Sequence, residues 1–191
     1  MKKKILFIHY NVYHQERWGR TFPLAKAAVQ CGYEVTLLTT SSHKGLGVKK
    51  EIVDIIICKD IIPMTLLKRG FGFLSFLSRI IHTLTKHYDY VYSDCGETLN
   101  AGWPSKIIQW KGGIYISEWG DLLGKGGFYD NKPRLFKIFY GWYFLWAELY
   151  FRKSANYVVV LSSMMKQHAI SRGIDESKII LVPGGAICDV I

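Results

Sequence analysis

The sequence predicts an α/β chain built on a doubly wound parallel sheet of about seven strands. Three observations carry that expectation. Short runs of Val, Ile and Leu recur along the chain, bounded by Gly, Pro, Asn and Ser. Between them lie longer stretches with apolar residues at helical spacing. The short runs are continuous rather than alternating, as in strands covered on both faces.

The elements follow in order. Lys4-Ile5-Leu6-Phe7-Ile8-His9-Tyr10 reads as a buried first strand. Phe22 to Cys31 reads as a helix stopped by Gly32. Glu34 to Thr39 is the second strand, Ser41 to Lys50 a polar, glycine-containing loop, and Ile52 to Cys58 the third strand. An amphipathic helix is predicted from Phe73 to Tyr88. Phe73, Leu77, Ile80, Ile81, Leu84 and Tyr88 share one side, and Ser75, Ser78, Arg79, His82 and Lys86 the other. By the usual rule the apolar side packs on the sheet. Tyr88 to Ser93 is the fourth strand, Glu97 to Lys111 a helix with Pro104 near its first turn, and Gly113 to Ser117 the fifth strand. A glycine-rich loop, Gly120 to Asn131, precedes a long aromatic helix from about Pro133 to Ser154. Leu135, Ile138, Trp142, Leu145 and Leu149 form its expected core stripe. Asn156 to Leu161 is the sixth strand, Ser163 to Arg172 a helix ended by Gly173, and Lys178 to Val182 the seventh strand. The last residues, after Pro183-Gly184-Gly185, read as the start of a linker.

Composition narrows the class. With 191 residues and 49% apolar content, the chain suits one well-buried domain. Lys and Arg number 25 against 15 Asp and Glu, a net charge of +10. Such a surplus attracts phosphates, nucleic acid or an anionic membrane. No nucleic-acid-binding motif accompanies it, so nucleic acid is not an expected partner. Cys31, Cys58, Cys95 and Cys188 show no CxxC spacing, which leaves free thiols in a reducing compartment as the default. Lys2 to Tyr10 lacks the length and cleavage site of a signal peptide, and no run reaches the roughly 18 apolar residues of a spanning helix. A cytoplasmic location is expected.

Ligands of open parallel sheets bind beyond the carboxyl ends of the strands. That rule selects Asn11 to Arg20, Ser93 to Glu97, Glu118 to Gly127, Ser162-Ser163 and Gly184-Gly185. The first loop lacks the GxGxxG fingerprint, Thr39-Thr40-Ser41 replaces a ribose-binding acid, and no GxxxxGK[ST] occurs. No cofactor is therefore expected. Gly19 lets a ligand approach the backbone at a helix start, where N–H groups, Arg17 and Arg20 suit an anion; a plain tight turn with solvated arginines is the equal alternative. In Ser117-Glu118-Trp119-Gly120-Asp121 two carboxylates flank a Trp just past a buried strand. Either carboxylate can act as a base or orient a hydroxyl, and Trp119 offers a face for a ring substrate. The purely structural alternative makes Asp121 a cap and pairs Glu118 with an Arg. Asp94 and Glu97 have the spacing of a cap and its capping-box partner, and that structural reading is preferred. The six His residues are dispersed, without HxxxH or HExxH, and point to no metal site. Lys68-Arg69-Gly70-Phe71 sets basic residues beside a Phe, and the long helix carries surplus aromatics. Both suit contact with an anionic membrane surface; a solvated charge pair and core packing against a second helix are the structural alternatives, the latter preferred for the aromatics.

The motifs in sequence resemble family 4 (group 1) glycosyltransferases. The resemblance rests on Asn156-Tyr157-Val158-Val159-Val160-Leu161-Ser162-Ser163-Met164-Met165, then Arg172-Gly173-Ile174-Asp175-Glu176-Ser177-Lys178-Ile179 and Leu181-Val182-Pro183-Gly184-Gly185-Ala186. The opening, Lys3 to Ile8 and Gly32 to Thr39, is similar as well. Gly19-Arg20 stands where members often have two glycines, Glu118 or Asp121 lies nearest to where many have a His, and Gly184 replaces the Asn of a closing P-N-G.

The resemblance implies the Rossmann-like N-terminal half of a GT-B fold, with residues 1–191 as an acceptor-binding domain. It implies a retaining transferase that moves a sugar from a nucleotide-sugar donor to a glycan or lipid-linked acceptor. In that family the C-terminal domain binds the nucleotide and carries the paired carboxylates of E-x7-E. No counterpart of it stands in this sequence, so the chain alone is expected to be inactive. Glu118 and Asp121 are the candidate catalytic residues, and Asn11, Arg17, Gly19, Arg20, Trp119, Ser162 and Ser163 the candidate substrate-binding ones. Two rivals stand beside this reading: a sugar-nucleotide epimerase of the same architecture, and a non-catalytic membrane-docking subunit of a two-chain transferase.

Overall fold

The computed structural model describes residues 2–12, 20–41, 47–50, 54–59, 72–96, 98–122 and 124–184. Its strands are β1 (Lys4–Val12), β2 (Glu34–Ser41), β3 (Gly47–Lys50), β4 (Asp54–Lys59), β5 (Tyr90–Ser93), β6 (Ile114–Trp119), β7 (Tyr157–Val160) and β8 (Ile179–Leu181). Its α-helices are α1 (Thr21–Gln30), α2 (Phe73–Thr85), α3 (Leu99–Trp110), α4 (Arg134–Phe139), α5 (Gly141–Ser154) and α6 (Ser163–Ser171). The sheet order is β3-β4-β2-β1-β5-β6-β7-β8. Seven strands run parallel, as the continuous apolar runs predict. β3 is an addition: part of the predicted Ser41–Lys50 loop doubles back antiparallel to β4, pairing Gly47 with Ile57 and Lys50 with Asp54.

Alternation along the strands sorts side chains onto two faces. On one face Phe7, Val35, Leu37, Ile55, Tyr92 and Val159 pack with Ala25 and Phe22 of α1. On the other, Leu6, Ile8, Val91, Tyr115 and Val158 pack under Ala101 and Ile108 of α3, Ala147 and Phe151 of α5 and Ala169 of α6. Gly32 closes α1 in the left-handed region at φ 88°, which a side chain would strain.

α2 is inverted relative to the sequence expectation. Ser75, Arg79 and Thr83 are its buried residues, whereas Phe73, Leu77, Ile81 and Leu84 are exposed. The reason lies in α3. Pro104 has no N–H, so the carbonyl four residues before it, that of Asn100, lacks its helical donor. Arg79 Nη1 donates to that oxygen at 3.1 Å, while Nη2 donates to His9 O at 3.0 Å and Thr40 Oγ1 at 2.8 Å. Three fixed acceptors hold the guanidinium inside, and the apolar stripe turns outward.

The long aromatic helix is two helices. It breaks at Tyr140–Gly141, where a side chain on Gly141 would meet the Tyr129 hydroxyl at 2.7 Å. Its predicted core stripe is also displaced. Leu135, Ile138 and Trp142 are exposed, and Phe144, Ala147, Glu148, Phe151 and Arg152 face the interior. Among the described residues, no helix is long and apolar enough to cross a membrane.

Candidate functional site

The carboxyl ends of β1, β5 and β6 bring together a polar cluster on the α1 face. His9 follows Phe7 at the two-residue strand period, Asp94 follows Tyr92, and Glu118 follows Ile116. Arg20 and Thr21 enter from the first turn of α1. His9 Nδ1 donates to Asp94 Oδ2 at 2.5 Å, and Thr21 Oγ1 donates to the same oxygen at 2.9 Å. The Tyr92 hydroxyl donates to Glu118 Oε2. Arg20 Nε lies 3.8 Å from Glu118 Oε1, and its Nη1 donates to Val182 O at 2.9 Å. The cluster thus touches the ends of four strands, since Val182 directly follows β8.

Glu118 is 6% exposed, and burial pushes its carboxyl above the ordinary glutamate range. The Tyr92 hydrogen bond and the Arg20 charge pull it back; Asp94 and Asp121 push it further up. Burial, and then the Glu118 charge, push the Tyr92 phenol far up, so it stays a hydrogen-bond donor. The result is a shielded carboxyl with one fixed donor and a neighbouring guanidinium. Such a group can orient a hydroxyl and take up its proton. Among the described residues, no group of His, Cys, Asp or Glu could hold a metal ion.

The predicted residues fare differently. Glu118 and Arg20 lie in the cluster. Asp121 is exposed, at the start of the glycine-rich loop, and acts on Glu118 through its charge. Trp119, expected to offer a face to a ring substrate, is fully buried. The Arg152 guanidinium carbon stands 4.6 Å from its ring centre, and His168 meets it edge-on at 5.4 Å. β6 runs two residues further than predicted, and Trp119 points to the face opposite Glu118. Ser162 is the N-cap of α6, accepting from Met165 N at 3.1 Å, and Ser163 begins that helix; both are exposed. Asn11 lies near the carboxyl end of β1. Arg17, Gly19, Glu97, Gly185 and the Lys68–Phe71 segment lie outside the described residues.

Asp94 is not the cap that its spacing suggests. α3 begins at Leu99 with Thr98 at its cap position, and Asp94 turns instead to His9 and Thr21. His9, Thr21, Tyr92 and Asp94 are the members that motif reading missed. Strand parity was the available signal: each acid, imidazole or phenol occupies the same face as an apolar residue two positions earlier.

A cavity of about 410 Å³ opens at the other end of the sheet, lined by Lys4, Glu34, Asp54, His82, Lys86 and Tyr88. These residues stand at the amino ends of the strands. Lys4 and Glu34 pair with each other at 3.1 Å. The rule for open parallel sheets favours the carboxyl-end cluster over this cavity.

The family model described as Glycosyltransferase Family 4 matches residues 20–189. No curated protein matches the sequence. Solved structures share the fold. Sucrose-phosphate synthase from Thermosynechococcus elongatus aligns with a TM-score of 0.65 at 15% identity, covering 97% of this chain and 49% of that one. A putative UDP-N-acetylglucosamine 2-epimerase from Listeria monocytogenes gives 0.63 at 12% identity, covering 95% and 45%. Anabaena Alr3699/HepE in complex with UDP gives 0.56 at 12% identity, covering 96% and 44%. The chain spans just under half the length of these structures.

Proposed function

The chain belongs to glycosyltransferase family 4, and from that premise we propose that it forms the acceptor-binding half of a retaining hexosyltransferase. The nucleotide-sugar donor is held by a second domain outside these 191 residues, and the acceptor is a glycan or a lipid-linked sugar. The protein acts in the cytoplasm, peripherally on the inner face of the membrane. The observation that carries this reading is the buried Glu118 carboxyl, held by Tyr92 and faced by Arg20 at the carboxyl end of the sheet.

In the transfer, the bond between the sugar's anomeric carbon and the nucleotide phosphate breaks, and the nucleotide leaves with the electron pair. The acceptor oxygen bonds to the same face of that carbon and gives up its proton. Glu118 receives the acceptor hydroxyl. Burial makes its carboxylate a stronger proton acceptor than a free one. Tyr92 fixes its orientation, Arg20 keeps the ionised form accessible, and Asp121 stands at the mouth to meet further hydroxyls. Asn11, Arg17, Gly19, Ser162 and Ser163 remain the further candidates for acceptor contact. Trp119 contributes by packing behind the site.

The test uses the full-length protein, a set of nucleotide sugars, and a lipid-extract acceptor. Nucleotide release that requires acceptor, and that falls by roughly a hundredfold in Glu118→Gln, is the expected result. Donor turnover without any acceptor would instead favour an epimerase, in line with the likeness to the Listeria fold. Full activity of the variant would leave a docking subunit as the reading.

A further inference from the structure

Peripheral placement leaves open which surface meets the membrane; the sequence motif singled out for it, Lys68–Phe71, lies outside the described residues. α2, α3 and α5 form one layer over the same face of the sheet, with α2 packed on α3 and α3 on α5. The outer side of that layer is apolar. Phe73 is 72% exposed and Leu84 57%, with Leu77 and Ile81 between them on the same helical stripe. Trp110 at the end of α3 is 63% exposed and Trp142 at the start of α5 68%. Trp103 joins the two helices, its ring centre 6.4 Å from that of Trp110 and 6.3 Å from that of Trp146.

Charge decides what this face suits. α2, α3 and α4 contain no Asp or Glu at all. The single carboxylate of α5, Glu148, is buried and accepts a hydrogen bond from Gly124 N at 2.9 Å. Lys86, Lys111, Arg134 and Lys153 are exposed on or beside the same helices. Lys111 also donates to the last carbonyls of α2, those of Thr83 and Leu84 at 3.0 and 2.8 Å, which holds a cation at the edge of the apolar stripe. Asp130, just before α4, is an exposed acid nearby, but the helices themselves expose none. An apolar stripe, exposed Trp side chains and cations on helices without an exposed carboxylate is the pattern of a helix lying in a lipid interface. A face shaped for another protein has no need to exclude every carboxylate from its helices.

We propose that the outward face of the α2–α3–α5 layer docks on an anionic phospholipid bilayer, with Phe73, Leu77, Ile81 and Leu84 entering the headgroup boundary. The inverted packing of α2 around Arg79 is what makes that stripe available. The inference rests on the peripheral placement above but not on the reaction, so its test uses neither donor nor acceptor.

The chain is sedimented with vesicles of phosphatidylcholine alone and of phosphatidylcholine with phosphatidylglycerol. Binding to the mixed vesicles only, weakened by salt, is expected. Leu77→Glu with Ile81→Glu should reduce that binding by about tenfold or more with little change in thermal unfolding, because neither side chain belongs to the buried core. Failure to bind mixed vesicles overturns the proposal. So does unchanged binding by the double variant, which would move the contact to another surface. So would a dimer that the double variant converts to monomer, which would give the face to a second copy of the chain. Any of these results leaves the transferase reading standing, since acceptor-dependent nucleotide release is measured separately.

Discussion

Arg20 at the head of α1 is hydrogen-bonded to the carbonyl oxygen of Val182, 162 positions later, at 2.9 Å. The same guanidinium faces Glu118. One side chain therefore links the buried carboxyl to the segment by which the chain leaves the sheet. Arg20→Ala should free that segment and remove the cation beside Glu118. The expected cost is about 1 kcal/mol of stability, because Arg20 is partly exposed. Chemical denaturation measures it, and amide hydrogen exchange at Val182 and Gly184 should rise in the variant. Unchanged exchange there would mean that the bond does not hold in solution.

Glu118 makes stability depend on pH. Its carboxyl titrates above the ordinary value of 4.5 once folded, so the folded state binds its proton more tightly than the unfolded chain does. Its contribution is fully present below pH 4.5 and is lost as pH rises through the folded value. Glu118→Gln removes that loss and keeps an acceptor for Tyr92. The variant's melting temperature should gain on the parent as pH rises from about 4.5 toward neutrality. A constant difference across that window would show that Glu118 is not desolvated.

Asp94 is the shared acceptor of His9 and Thr21. Asp94→Ala leaves both donors without their carboxylate and should cost about 2 kcal/mol. Thr21→Val alone should cost less, about 1 kcal/mol. A double-mutant cycle between them should show a coupling energy of about 0.5 kcal/mol or more. Strict additivity would dissolve the cluster as a unit.

Arg79 is the most consequential buried charge of the fold. Arg79→Leu removes the donor for three acceptors and leaves the Asn100 carbonyl, already deprived by Pro104, with nothing in exchange. A loss of about 3 kcal/mol or more is expected. Arg79→Lys should recover little, because one ammonium cannot reproduce the planar fork that spans α3, β1 and β2. Recovery by Lys to the parent's stability would show that charge alone matters.

The sheet was legible because parallel strands advertise themselves as apolar runs, and seven of them fall close to their expected places. What escaped was orientation. For α2, the helical period identified two sides correctly, but the rule that apolar packs inward gave way to the acceptors waiting for Arg79. Nothing near Arg79 in sequence announces Pro104 and the freed Asn100 oxygen. The break at Tyr140–Gly141 falls beside Tyr129, a neighbour that the helical pattern does not reveal. In the site, Glu118 and Arg20 were visible as polar residues beside strand ends. Asp94 was hidden by a plausible local role, since its spacing to Glu97 imitates a capping box. Trp119 was misplaced by two residues of strand length, enough to turn it from the cleft to the core.

Among the described residues the sheet ends in a short strand at each border. β3 offers four residues and β8 three. A strand donated by another molecule gains one ladder bond for roughly every residue it can align, so such brief borders are poor templates. The chain is thereby protected from growing into fibrils by lateral strand addition. Self-association at high concentration should instead bring helices together, leaving the β content of the protein unchanged.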